Sequence, residues 1–162
     1  MIISSDIYNA IKTRLKQIFK ATKLQIKDIK NITPPCLYIQ YVNSSDKEVA
    51  NETYNTTCLF NIVYFADADE LLNLLEVENR LKKAFKKAIP VYYVNNFGET
   101  VRKFIKPEVN SDPEENTEYI LVVSLSFDFI QDADIDYING ANDEFDTGEY
   151  DNPETMDILD LD

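Results

Sequence analysis

The sequence predicts an α+β fold: two helices packed on one face of a mostly antiparallel β-sheet, a two-layer sandwich, with an extended acidic C-terminal arm. Three observations predict it. Residues 5–22 and 69–89 place apolar side chains at helical spacing. Thr53 to Phe65 and Thr117 to Ile130 instead alternate with a period of two, as half-buried strands do. Charge then divides the chain, for residues 1–130 hold all 16 Lys and Arg against 17 of the 29 Asp and Glu, while 131–162 hold the other 12 acids and no base. A near-neutral domain over 1–130 and an acidic extension over 131–162 are therefore expected.

In the first helix Ile7, Tyr8, Ile11, Leu15, Ile18 and Phe19 share a face. Ser4 is placed to cap it, with Ile3 and Tyr8 as a hydrophobic staple. Lys12, Arg14, Lys16 and Lys20 fill the remaining surface, a solvated face or a partner-facing one. Lys23 to Asp28 reads as a short strand, and Thr33-Pro34-Pro35 interrupts the chain. Cys36 to Val42 is apolar on both faces, like a central strand, and Asn43 to Asn51 reads as a polar loop. In the strand that follows, Tyr54, Thr56, Cys58, Phe60, Ile62 and Tyr64 form the core side.

Asp67 and Asp69 are candidate N-caps for the second helix. Leu71, Leu74, Leu75, Leu81, Phe85, Ala88 and Ile89 line its buried face, and Pro90 ends it. Val91 to Val94 and Thr100 to Ile105 look like strands, and residues 110–116 like a turn. The last strand aims Tyr119, Leu121, Val123, Leu125, Phe127 and Phe129 at the core. The order is α-β-β-β-α-β-β-β. Helices on one face leave the other half exposed, and its Thr, Asn and Ser content suits contact with a neighbouring subunit.

Composition narrows the function. With 44% apolar residues a core is within reach, yet no run approaches the roughly 18 apolar residues of a membrane span. The N-terminal residues have no basic and apolar regions of a secretory signal, so a protein made in the cytoplasm is expected. Cys36 and Cys58 are too few for a disulfide framework and too distant for CxxC chemistry, and read as buried thiols. Histidine is absent, which removes the commonest general base and metal ligand. Glycines at 98, 140 and 148 form no phosphate loop. Asp132-x-Asp134-x-Asp136 opens like a calcium loop, but Tyr137 stands where Gly is needed and Asp143 where Glu is needed. The sequons at Asn31, Asn43, Asn51 and Asn55 follow from an Asn- and Thr-rich composition. No pair of carboxylates is singled out, so no catalytic, cofactor or metal residue is assigned and a non-enzymatic subunit is expected.

Within the acidic extension Tyr137, Ile138, Phe145, Tyr150, Ile158 and Leu159 recur as anchors, which suggests a docking arm rather than a purely solubilising tail.

Pro35-Cys36-Leu37-Tyr38-Ile39, the polar segment after it, and the long strand from Asn51-Glu52-Thr53-Tyr54 to Tyr64-Phe65 resemble the phage tail terminator proteins of Gram-positive phages, prophages and tail-like bacteriocins. A second helix and a final aromatic–aliphatic strand, Thr117 to Ile130, are similar too. The resemblance covers residues 5–130 and leaves the extension unaccounted for. It implies a homo-oligomeric six-fold ring on the last ring of the tail tube, at the tail–neck junction of the virion, assembled in the bacterial cytoplasm. Its partners would be the tail tube protein, the sheath protein where the tail is contractile, and a neck or connector protein. DNA would only pass through the lumen, and no membrane or cofactor is implied. Another head–tail neck subunit remains an alternative. An acidic DNA mimic suits the chain less well, because the near-neutral part is the domain.

Overall fold

The computed structural model describes residues 1–20, 23–25, 32–67, 71–111 and 119–132. It is the expected α+β two-layer arrangement. The elements are α1 (Ser4–Ile18), β1 (Lys23–Gln25), β2 (Cys36–Ala50), β3 (Thr53–Phe65), α2 (Leu71–Phe85), β4 (Ile89–Val94), β5 (Thr100–Ile105), β6 (Glu108–Ser111) and β7 (Ile120–Asp132). Five strands form the main sheet in the order β1-β2-β3-β7-β6, antiparallel except for the β1–β2 pair, and β4 and β5 form a separate hairpin.

The alternation read from the sequence decides which face is buried. Thr56, Cys58, Phe60, Ile62 and Tyr64 of β3 and Leu121, Val123, Leu125, Phe127 and Phe129 of β7 are all buried. All but Thr56 share one hydrophobic core with Ile7, Ala10, Ile11 and Leu15 of α1 and Leu74, Val77, Leu81, Ala84 and Phe85 of α2. Phe60 lies edge-on to Phe127 across the ladder, with ring centroids 6.3 Å apart. Cys36 and Cys58 are buried free thiols. Cys36 pairs with Phe65 and Cys58 with Ser44, far apart along the β2–β3 ladder.

Several expectations change. The segment 43–50 is no loop: β2 runs on through it, paired with β3 up to Ala50 opposite Thr53. The hairpin is closed by Asn51 and Glu52, the latter at φ 59, in the left-handed region. A register shift between Tyr41 and Asn43 marks where β2 leaves the core, and from Gln40 to Ala50 both its faces are exposed. The backbone ladder to β3 holds this stretch in strand form despite its polar side chains.

At α1 the N-cap is Ile3, not Ser4; its amide N–H donates to the Asp6 carboxylate at 3.0 Å. Ile2 and Ile7 occupy the staple positions and both are buried, whereas Ile3 is exposed. Helix α2 stops at Phe85, because Pro90 forces the residue before it to be extended; Ile89 and Pro90 belong to β4. Leu75 is exposed, and Val77 and Ala84 take up the buried stripe instead. β6 is a strand where Asn110 and Ser111 read as a turn, and Tyr119 precedes β7 and is exposed. α1 ends at Ile18 with Phe19 as its C-cap, short of the expected 22. The ends expected for the first short strand at 28 and for the start of α2 at 69 lie outside the described residues.

Glu78 of α2 accepts from Lys82 Nζ at 2.6 Å. That hydrogen bond, with a second from Ser111 of β6, holds its carboxyl below the ordinary carboxylate range. A depressed carboxylate stabilises the fold above its unfolded pKa, and the contribution fades as pH falls below 4.5. Glu78→Gln should therefore lower stability at neutral pH, and the gap to wild type should close in acid, as read by urea midpoints across pH. In the core, Phe127→Ala should cost about 3–5 kcal/mol, seen as a lower urea midpoint with an unchanged slope.

Candidate functional site

Among the described residues no three His, Cys, Asp or Glu side chains lie together as metal ligands would. What the fold presents instead are three organised surfaces.

The first is a latch that ties the N-terminal residues to the far end of the sheet. Gln131 of β7 accepts the Ile2 amide N–H on Oε1 at 2.9 Å, and its Nε2 donates to Thr56 Oγ1 at 2.8 Å and to the Ile2 carbonyl at 3.3 Å. The Thr56 hydroxyl donates in turn to Asp46 Oδ1 at 2.5 Å, reaching across to the exposed half of β2. Ser4 Oγ lies 3.8 Å from Cys58 Sγ. Burial pushes the Cys58 thiol up, and the Ser4 hydrogen bond only partly opposes it, so at neutral pH it is a protonated, unreactive group.

The second surface is the outer face of the main sheet. Directly opposed polar residues bond across the strands: Ser124 Oγ donates to Asn61 Oδ1 at 2.7 Å, and Thr57 Oγ1 to Asp128 Oδ1 at 3.2 Å. Thr53 Oγ1 donates to Asp132 Oδ1 at 3.1 Å in the same way. This face is bounded by two free edges among the described residues. One is β6; the other is β2 beyond Tyr38, where pairing with β1 stops.

The third is the β4–β5 hairpin. Its inner residues Ile89, Val91 and Ile105 belong to the core, and its outer face shows Pro90, Tyr92, Val94 and Phe104 to solvent. The Arg102 guanidinium sits 4.9 Å from the Phe104 ring centroid. Lys103 turns the other way, donating to the Ile130 carbonyl at 2.6 Å and so joining the hairpin to β7. A cleft of about 360 Å³ between hairpin tip and sheet end is lined by Phe97, Lys103, Ile130, Gln131 and Asp132. A groove of about 390 Å³ runs between α1 and β4, with Arg14, Lys87, Pro90 and Tyr92 on its walls. Arg14 also donates from Nε to the Ala84 carbonyl at 3.1 Å, clamping α1 to the last turn of α2.

The proposed anchors Tyr137, Ile138, Phe145, Tyr150, Ile158 and Leu159 lie outside the described residues, as do Asp134 and Asp136. The Gln131 latch and the outer face of the hairpin were not singled out from the sequence. Tyr92 and Val94 alternate on one face of β4, and Phe104 shares that face from β5, opposite Pro90; that alternation carried a signal for the latter, since no described element covers them.

A family model described as phage tail terminator protein matches residues 6–136, from α1 through β7. The chain belongs to the phage tail terminator family. It is thereby a structural protein of the phage tail. No curated protein matches the terminator chain. One solved structure, known by a sequence identifier alone, is similar at TM-score 0.43 and 18% identity, over 81% of this terminator chain and 97% of its own.

The latch makes the terminator fold's N-terminal anchorage testable. Thr56→Val keeps the shape of a buried residue but removes the acceptor of one Gln131 Nε2 hydrogen bond and the donor to Asp46. It should cost about 1–3 kcal/mol by urea unfolding and speed amide exchange at Ile2 before global unfolding.

Proposed function

We propose that this chain caps the phage tail tube as a closed ring of six subunits, ends tube growth there, and joins the tail to the neck. The observation that carries the reading is the family match from residue 6 to residue 136. The surfaces described above are compatible with it. A closed ring is built from head-to-tail contacts, in which one patch meets a different one and the rotation closes. Among the described residues the sheet offers two unlike free edges, β6 on one side and the exposed half of β2 on the other. Either can receive a neighbouring strand by backbone pairing.

In this role the tube protein meets one rim of the ring and a neck or connector protein the other, with a sheath protein as a further partner where the tail contracts. DNA passes through the lumen unread. The work is done by interfaces, and no bond of a substrate is made or broken. Mixing the purified chain with tube protein, then measuring particle mass by mass photometry and imaging by cryo-EM, tests the reading. Tubes should end in a six-fold ring. A chain that stays monomeric and leaves tube growth unlimited would sink the proposal. A ring that binds the portal side but never the tube would favour a different neck role.

A further inference from the structure

The outer face of the β4–β5 hairpin is held ready for display. Asn95 orders the turn by accepting the amide N–H groups of Phe97 and Glu99 on its side-chain oxygen, at 3.0 and 2.9 Å. Gly98, at φ 77, completes it in a conformation that suits glycine. The result fixes Phe97 at the tip with 82% of its surface exposed. Along the strands, Tyr92 stands opposite Arg102 and Pro90 opposite Phe104. At the foot of the hairpin the groove beside α1 adds the cations of Arg14 and Lys87. The acids lining this surface are engaged locally, Asp6 by the Ile3 amide, Glu99 by Asn95 Nδ2 and Asp132 by the Thr53 hydroxyl. Aromatic and aliphatic side chains beside cations suit an acidic peptide that carries apolar anchors.

This chain contains such a peptide. Residues 133–162 are rich in acids, have no base, and carry Tyr137, Ile138, Phe145, Tyr150, Ile158 and Leu159. They also begin in the right place, for Asp132 at the end of β7 lines the same cleft as Phe97 and Lys103. We propose that, in the unassembled subunit, the acidic segment 133–162 seats on the outer face of its own β4–β5 hairpin and in the basic groove below it.

Reach is ample. From the turn to Pro90 the hairpin measures about 17 Å at about 3.3 Å per residue. The segment can extend to about 100 Å at about 3.3–3.6 Å per residue. Tethering also favours the same copy over another, because a linked segment acts at an effective concentration of about 1 mM, above that of free subunits in dilute solution. Charge attraction and apolar contact both contribute, and the seat covers side chains that would otherwise invite indiscriminate association. It does not depend on the ring: the seat and the capping role stand or fall separately.

A photo-cross-linker reads the contact directly in the full chain. With p-benzoylphenylalanine in place of Tyr92, irradiation at low protein concentration should join position 92 to a peptide within 133–162. Mixing isotope-labelled and unlabelled copies should show both ends of the product in one copy. The yield should fall several-fold in Arg102→Glu and Lys87→Glu variants. It should also fall when salt is raised from about 0.1 to about 1 M, which shortens the screening length from about 10 to about 3 Å. The same probe at Leu72, an 82% exposed residue on α2, should not find the segment. Products joining two copies, products mapping to another part of the chain, or a yield indifferent to salt and to both charge reversals would each overturn the seat.

Discussion

The pairing of β3 with β7 is the constraint on which the rest of the fold depends. Thirteen residues of β3, Thr53 to Phe65, face thirteen of β7 without a break, from Thr53 opposite Asp132 to Phe65 opposite Ile120. Side chains alternate with a strict period of two, so a slip by one residue would turn Phe127 and Phe129 to solvent and bring Asp128 and Ser126 into the core. The outer face guards against that slip independently. Asn61 meets Ser124 and Thr57 meets Asp128 only in the native register, and each pair is joined by a hydrogen bond. The same register sets Gln131 where it can hold both Thr56 and Ile2, which brings the start of α1 against the sheet. One ladder thus positions the helix layer, the outer face, and the point where the acidic segment leaves.

β2 shows two regimes along one strand. Cys36, Leu37 and Ile39 are buried and behave as part of a central strand, covered on one side by β1. Beyond the register shift at Tyr41 the strand's own residues are exposed, and among the described residues it pairs with β3 alone. An open edge of that length invites pairing with any other strand, and Asp46, Lys47 and Glu48 place charge along it. These residues limit indiscriminate pairing but leave the backbone groups available to a partner with complementary charge. The hydrogen bond from Thr56 to Asp46 then links the exposed half to the buried latch, so the hairpin does not move independently of the body.

What the sequence revealed, and what it did not, follows from whether a segment's own side chains determine its structure. α1, β3 and β7 each bury one face against the core, and burial requires the periodicity that makes them recognisable. The far half of β2 buries nothing, and its Asn, Ser, Asp and Lys residues carry no alternation; its strand form is imposed by β3. β6 was hidden for the same reason, since Asn110 and Ser111 are typical turn residues held in place by β7. At the end of α2, Ala88 and Ile89 continue the helical spacing, and the restriction imposed by Pro90 overrides it. The hairpin's two strands were legible, but the use of its outer face was not. Exposed Tyr92 and Phe104 look like ordinary strand residues until the core is known to be complete without them.

A structural protein of an assembly must expose apolar side chains to its partners while limiting unwanted association. This fold keeps its exposed apolar residues in separate places, each beside polar or charged groups. Tyr41, Val42 and Val49 lie on the projecting β2, close in sequence to Asp46, Lys47 and Glu48; Leu72 and Leu75 are on α2, with Glu76 next in line; Tyr92 and Phe104 are on the hairpin beside Arg102. Such dispersal divides the exposed apolar surface among separate patches instead of gathering it into one. Several small patches become a large interface only when a partner engages more than one of them together, which demands the correct relative orientation. Orientation is what the rigid parts supply: the β3–β7 ladder fixes the outer face, Arg14 clamps α1 to α2, and Lys103 ties the hairpin to β7. Weak surfaces held at fixed angles to one another favour a partner that matches several of them, since one that matches a single surface gains too little to stay bound.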